Sequence, residues 1–300
     1  MHLLITGAWQ DAREHIPALE TRHEIVFMQQ ERDALPCDPA WVEGVICNGL
    51  FLYHPIESFP NLRFIQLTSA GYDRVPMETV REKGIEIHNA RGVYSIPMAE
   101  FAVAGVLQLC KQSRFFFENQ KHHRWVKHRC LSELSGKTVL ILGCGDVGTE
   151  CAKRFAAFGC RVLGVNRTAR ENPAFASIAP LPELNALLPE ADIVVLTLGL
   201  SQETRHLMNA ERLGLLKPGA VLVNIARGAL IDTNALLSVL PRLGGAVLDV
   251  FEEEPLPADS PLWDAENVIL TPHNSFVGDG NGDRLWERIR SNLENVEVLP

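Results

Sequence analysis

Thr138-Val139-Leu140-Ile141-Leu142-Gly143-Cys144-Gly145-Asp146-Val147-Gly148 is the stretch from which the rest of the chain can be read. A short aliphatic run passes straight into Gly-x-Gly-x-x-Gly, and the residues from Val147 to Phe158 have the make-up of a helix. The order strand, glycine turn, helix has a mechanical logic. Gly143 permits the tight turn, Gly145 lets backbone approach a pyrophosphate, and Gly148 lets helix and strand pack closely. Asp146 and Val147 stand at the helix start, where unpaired N–H groups and the helix dipole present positive charge to phosphates. Glycine clusters also make ordinary turns. Here the preceding strand, the following helix and a further strand at Arg161 complete the context of a dinucleotide-binding unit.

Outward from this motif, β-rich runs alternate with helical patterns. Residues 2–6, 23–28, 44–48, 62–68 and 85–90 read as five strands, and 137–142, 161–165, 192–198, 220–225, 245–250 and 267–270 as six more. Such alternation predicts an α/β fold with parallel sheets covered by helices. Six strands is the count of a complete dinucleotide-binding sheet. Between the two series lies a single long helical candidate, 97–121, opening on Pro97 and apolar on more than one face. The tail 283–296 repeats Leu285, Trp286, Ile289 and Leu293 at helical spacing.

The bulk properties narrow the function classes. The 300 residues suffice for two domains, and a formal charge of −9 disfavours nucleic acid as a partner. The seven cysteines include no C-x-x-C pair, which argues against a zinc site or a disulfide framework and for a reducing compartment. His122 and His123 are adjacent and diverge on a helix, so they and His128 are read as surface residues and no metal is expected. The N-terminus has no basic region followed by an apolar run, and apolar stretches fall short of the ~20 residues that span a bilayer. The expectation is a cytoplasmic protein with no membrane contact.

An acidic residue to hold the adenosine ribose is expected ~20 residues beyond the glycine turn. The chain offers Asn166, Arg167, Thr168 and, slightly later, Arg170. A 2′-phosphate would meet no carboxylate there and would find guanidinium groups. NADP(H) is therefore the favoured cofactor, with NAD(H) left open.

Three segments follow late strands: Asn224-Ile-Ala226-Arg227-Gly228, Asp249-Val-Phe-Glu-Glu-Glu254-Pro255-Leu256, and Thr271-Pro-His273. Ligands of open α/β sheets bind beyond such strand ends. Taken singly, Arg227 suits an ion pair as well as a ligand, and the acidic run suits a solvated surface. Taken in order, they resemble the D-isomer-specific 2-hydroxyacid dehydrogenase family. The likeness extends to Ser69-Ala70-Gly71-Tyr-Asp73, Asn89-Ala-Arg-Gly92…Ala99-Glu100, Thr204-Arg-His206 and Lys217-Pro-Gly219, and so covers nearly the whole chain.

The resemblance implies a fold and a set of roles. A Rossmann-type domain at 96–275 would accompany a flavodoxin-like substrate domain made of 1–95 and 276–300, with the active site in the cleft between them. Arg227 would bind the substrate carboxylate and polarise its carbonyl. His273 would be the acid/base, with Glu254 accepting from its other ring nitrogen and favouring its charged form. Asp249 would hold the nicotinamide carboxamide, Ala226 would line the cofactor, and Ser69, Ala70 and Gly71 would receive the substrate carboxylate. The implied reaction is hydride transfer between NAD(P)H and a small 2-oxo acid of the glyoxylate or hydroxypyruvate type. The implied assembly is a homodimer supported by the long helix. Phosphoglycerate oxidation, or a cofactor-sensing protein like the C-terminal-binding corepressors, are the alternatives. Formate oxidation is disfavoured, because that branch has glutamine where Glu254 stands. The chain departs from the family at Asn166, at Gly199 where proline is common, and in a short C-terminal end, for which an abbreviated return to the first domain is expected.

Overall fold

The computed structural model describes residues 1–296 and divides into two compact units, Met1–Tyr94 with the chain from Gly278 onward, and Ser95–Val277. The assignment of residues 297–300 to the substrate domain lies outside the described residues.

The first unit is a five-stranded parallel sheet of β1 (His2–Thr6), β2 (Glu24–Met28), β3 (Gly44–Cys47), β4 (Phe64–Leu67) and β5 (Glu86–His88), in the order β2-β1-β3-β4-β5. That is the flavodoxin-like order. Helices α1 (Ala12–Leu19) and α2 (Met77–Glu82) belong to it, as does the C-terminal helix Asn281–Val296. Alternation along the strands sorts the core. Leu4, Val45 and Ile65 face one layer with Val80 of α2, while Leu3, Ile5, Ile46 and Phe64 face the other with Leu285, Ile289 and Leu293 of the C-terminal helix. A buried amide pair, Asn292 Nδ2 to Gln66 Oε1 at 2.7 Å, locks this helix to β4.

The second unit opens with α3 (Ser95–Cys110) and α4 (Ser113–Lys121) in place of the single helix expected at 97–121. The break is at Gln112, which takes a left-handed φ of 52°. No glycine or proline marks it, so the sequence carried no stop signal. After these come β6 (Thr138–Leu142), α5 (Asp146–Ala157), β7 (Arg161–Asn166), β8 (Ser177–Pro180), α6 (Leu184–Leu187), β9 (Ile193–Leu196), α7 (Ala210–Leu215), β10 (Val221–Asn224), α8 (Thr233–Val239), β11 (Gly245–Leu248) and β12 (Val268–Leu270). All are parallel, in the order β12-β11-β10-β9-β6-β7-β8. The described sheet thus has one strand more than the six expected. The unforeseen strand, β8, is an edge strand of four mostly half-buried residues ending in Pro180, without the apolar run that would announce it. Its proline lies at the sheet edge, where a missing N–H is tolerated.

Val139 and Ile141 face α3 and α5, whereas Leu140 and Leu142 face the layer that holds α6, α7 and α8. Helix α3 comes close enough to the sheet that a side chain at Gly105 would start 2.6 Å from Val247. Beneath the strand starts, Asp192 accepts from the Thr138 N–H at 2.8 Å and from Lys217 Nζ at 3.1 Å. Burial pushes the Asp192 carboxyl up, but the Thr138 N–H and Lys217 outweigh it and hold the group below its ordinary value. A lowered folded value means stability present above the ordinary carboxylate range and lost as pH falls through the folded value. Asp192→Asn is expected to cost about 1–2 kcal/mol at pH 7. The difference from the parent should shrink below about pH 4, as read by urea unfolding at the two pH values.

Burial raises the Cys144 and Cys151 thiols to about 12, so both act as apolar packing residues at neutral pH. No described helix is long and apolar enough to cross a membrane.

Candidate active site

The glycine turn has the shape its sequence requires. Gly143 sits at φ 102°, and a side chain there would start 2.6 Å from the Leu198 backbone nitrogen. At Gly148 the added carbon would lie 2.0 Å from the Gly143 carbonyl oxygen. Around Gly145, by contrast, there is open space. Gly145 caps α5 with no side-chain hydrogen bond, so no cap side chain fills the positive end of a twelve-residue helix. Two positions where backbone packs against backbone flank one that is empty toward the outside: a cradle of this form fits a pyrophosphate. Asn166 closes β7 half-buried, and Arg167, Thr168 and Arg170 follow it as exposed residues. Arg170 also lines a cavity of about 440 Å³ with Asn172, Phe175 and Ile178.

Arg227 lies three residues beyond β10, and its turn is shaped by a buried side chain. Asn224 Oδ1 accepts from the Ala226 N–H at 3.1 Å, and Asn224 Nδ2 donates to the Arg227 carbonyl at 2.9 Å. The half-buried guanidinium donates from Nη1 to the Ala226 carbonyl at 2.7 Å. Gly228 is pressed so tightly on the next loop that a side-chain carbon would overlap the Phe251 carbonyl carbon, at 1.8 Å. The turn after β10 therefore rests directly on the segment that carries Glu254.

His273 follows β12, the second neighbour of β10 in the sheet. Strands ~4.8 Å apart put the ends of β10 and β12 within about 10 Å. The His273 Nδ1 lies 2.8 Å from Glu254 Oε2, and the other Glu254 oxygen accepts from the Phe251 N–H at 3.0 Å. With Nδ1 taken, Nε2 has no hydrogen-bond partner among the described residues, and the side chain is 43% exposed. An imidazole oriented at one nitrogen and open at the other can exchange a proton with a bound substrate. His273 itself has φ 52°, a conformation that a non-glycine residue rarely adopts. Its N–H donates to the Asp249 carbonyl at 2.8 Å.

Asp249, fully buried, governs the same turn. Its Oδ1 accepts from the Thr271 hydroxyl at 2.6 Å and the Asn274 N–H at 2.8 Å, and its Oδ2 accepts from the Ser275 N–H at 2.9 Å. Three of the roughly four lone-pair positions of a carboxylate are thereby occupied. The family resemblance implied a ligand residue; the structure shows Asp249 as the staple of the His273 loop.

In the first unit, Ser69, Ala70 and Gly71 follow β4. The turn is held by Asn89 Nδ2 on the Ala70 carbonyl at 2.6 Å and by the Ala90 N–H on the Ser69 carbonyl at 2.9 Å. Among the described residues the Ala70 and Gly71 N–H groups have no acceptor, as an anion-receiving turn requires.

Sequence reasoning passed over Glu252 as part of an acidic run. Its Oε1 lies 2.6 Å from His206 Nε2, while Oε2 accepts from the Thr233 hydroxyl at 2.6 Å and the Thr233 N–H at 3.0 Å. Burial pushes this carboxyl up, yet the hydrogen bonds from Thr233 and His206 bring it below its ordinary value. Nothing in the sequence spacing, with Glu252 46 positions after His206, announced the contact. Gly199 has open space around it and an ordinary φ, so nothing in the structure explains a glycine there.

A glycine cradle on a parallel sheet, with an arginine beyond β10 and a carboxylate-oriented histidine beyond β12, suits a nicotinamide-dependent dehydrogenase. Residues 103–275 match the family described as D-isomer specific 2-hydroxyacid dehydrogenase, NAD binding domain. A glyoxylate reductase of Pyrococcus horikoshii is 37% identical over 247 residues, 79% of this chain and 74% of the relative. Among solved structures, a D-isomer specific 2-hydroxyacid dehydrogenase family protein of Aeromonas salmonicida is 34% identical with a TM-score of 0.85, over 100% of this chain and 96% of that one. Another, from Xanthobacter autotrophicus and in complex with NADPH and MES, is 30% identical with a TM-score of 0.81, over 99% and 94%. The chain belongs to the D-isomer-specific 2-hydroxyacid dehydrogenase family and is an NAD(P)-dependent oxidoreductase that interconverts 2-oxo and 2-hydroxy acids.

Proposed function

We propose that the protein reduces glyoxylate, hydroxypyruvate or a similarly small 2-oxo acid to the D-2-hydroxy acid, with NADPH preferred. The observation that carries this reading is the His273–Glu254 pair at 2.8 Å, open at Nε2 and set beyond the strand ends that also deliver Arg227. The name of the Pyrococcus relative supports the choice of glyoxylate.

Each role follows from the chemistry of the side chain. The planar fork of Arg227 suits a carboxylate, and its charge polarises the neighbouring carbonyl. His273 delivers a proton to the carbonyl oxygen as negative charge develops there, and Glu254 stabilises the ring while it carries charge. The Ala70 and Gly71 N–H groups, with the Ser69 turn that presents them, are assigned to the substrate carboxylate. A reduced nicotinamide, when bound, supplies the hydride. Gly143, Gly145, Asp146, Val147 and Gly148 are assigned to its pyrophosphate and Ala226 to its nicotinamide end. A panel of 2-oxo acids followed by NADPH absorbance tests the reading. Turnover of glyoxylate or hydroxypyruvate supports it, and cofactor binding without turnover on any acid overturns it.

The preference for NADPH rests on Asn166 at the end of β7 and on the exposed Arg167, Thr168 and Arg170. A charge-assisted pair contributes roughly 1.5–3 kcal/mol, or about one to two decades in affinity. The expected preference in kcat/KM is at least ~10-fold over NADH. The Asn166→Asp, Arg167→Ala double variant should reverse it. Equal use of both cofactors by the parent would leave the dehydrogenase reading standing and remove this one.

A second copy of the chain is the proposed partner. Phe117 of α4 and the following residues Trp125, Val126 and Leu131 are exposed apolar side chains, Trp125 at 96%. Exposed apolar side chains of this kind are suited to burial in a homodimer.

A further inference from the structure

We propose that Glu252 and His206 form a positioning brace that sets Arg227 against the Glu254–His273 pair, so that the two halves of the chemistry act on one carbonyl. The inference rests on the reading of Arg227 and His273 given above and extends it to residues that touch no substrate.

Three loops leave the ends of adjacent strands β9, β10 and β11. The loop after β9 carries His206, which has a left-handed φ of 49° and donates its N–H to the Ala229 carbonyl at 2.8 Å. Met208 continues the pairing: its N–H donates to the Leu230 carbonyl at 2.9 Å and its carbonyl accepts from the Asp232 N–H at 3.2 Å. This backbone ladder ties the loop after β9 to the residues immediately following Arg227. The loop after β11 is joined to both by the Glu252 carboxylate, one oxygen on His206 and the other on Thr233. Gly228 supplies the remaining contact, backbone against the Phe251–Glu252 peptide.

The covalent distances are short on either side of this junction. Arg227 is the residue before Gly228, and Glu254 lies two residues beyond Glu252. A shift of the Phe251–Glu252 peptide relative to Gly228 therefore moves Glu254, and with it His273, relative to Arg227. Misplacement on the scale of 1 Å is enough to cost orders of magnitude in a positioned reaction. A half-buried pair with a 2.6 Å contact, whose second oxygen accepts two hydrogen bonds from Thr233 at the start of α8, resists that shift. Most of the cofactor affinity is assigned instead to the glycine turn after β6 and to Asn166–Arg170 after β7, away from this junction, and should change little.

The test is a cycle of Glu252→Ala, His206→Ala and their combination, assayed well below each variant's melting temperature. In each single variant kcat on a 2-oxo acid should fall about 10-fold or more. The Kd for NADPH should stay within about 2-fold. The double variant should be no slower than the slower single, because both remove one brace. Glu252→Gln, which keeps the shape and one acceptor, should recover part of the lost kcat. Unchanged kcat in folded Glu252→Ala, or multiplicative losses in the double variant, would overturn the brace while the parent's turnover keeps the dehydrogenase reading. Should Glu252→Ala fail to fold, His206→Ala and Glu252→Gln decide by the same split between kcat and Kd. A parent protein inert on the whole panel of acids overturns the substrate reading and the inference with it.

Discussion

Replacing His273 with alanine should lower turnover by about 100-fold or more while NADPH binding stays near that of the parent. The expectation follows from the geometry at one nitrogen. Glu254 takes Nδ1 at 2.8 Å and leaves Nε2 as the only ring position that can hand a proton to substrate. The methyl group of alanine can neither donate nor accept that proton. His273→Asn is the sharper companion, because asparagine tolerates the left-handed backbone seen at φ 52°. It should keep the fold of the Thr271–Ser275 turn and still lose turnover. Single-turnover measurements with excess enzyme would place the loss in the chemical step. Near-parental rates at neutral pH in either variant would remove His273 from the mechanism.

Arg227→Lys should reduce kcat/KM by about one to two decades, the equivalent of one charge-assisted hydrogen bond. Charge is retained, so the loss measures the fork. A guanidinium can hold a carboxylate with two parallel N–H bonds while leaning on the Ala226 carbonyl, as it does at 2.7 Å. An ammonium group has no such plane. Because the same group both anchors the acid and polarises the carbonyl, KM should rise and kcat should fall together. A rise in KM alone would make Arg227 an anchor only. A variant equal to the parent in kcat/KM would make it structural.

Much of the fold is legible along the chain, for a physical reason. Parallel strands covered on both sides are near-continuous apolar runs, and Val139–Leu142, Ile193–Leu196 and Val221–Asn224 are of this kind, so burial writes itself into local composition. The glycine turn is legible for a different reason: only a residue without a side chain fits where Gly143 meets Leu198 and Gly148 meets the Gly143 carbonyl. Arg227, Glu254 and His273 stand out because each follows such a run at a strand end. Edge and terminus effects are less visible. Strand β8 has no apolar run because one side of it meets no partner strand, and the α3–α4 break at Gln112 needs no helix-breaking residue once packing holds its φ.

Local composition was therefore enough for the α/β class, for most of the element order, for the glycine turn, and for marking Arg227, Glu254 and His273 as candidates at strand ends. The tertiary structure decided how those side chains are held. Asp249 is tied to Thr271, Asn274 and Ser275, Asn224 to the Arg227 turn, and Glu252 to His206 and Thr233. These are contacts between loops far apart along the chain, made by single polar groups with no periodic pattern. A hydrogen bond depends on direction and on a partner within about 3 Å, and neither is encoded in local spacing; only the parallel register of β9, β10, β11 and β12 brings the partners together.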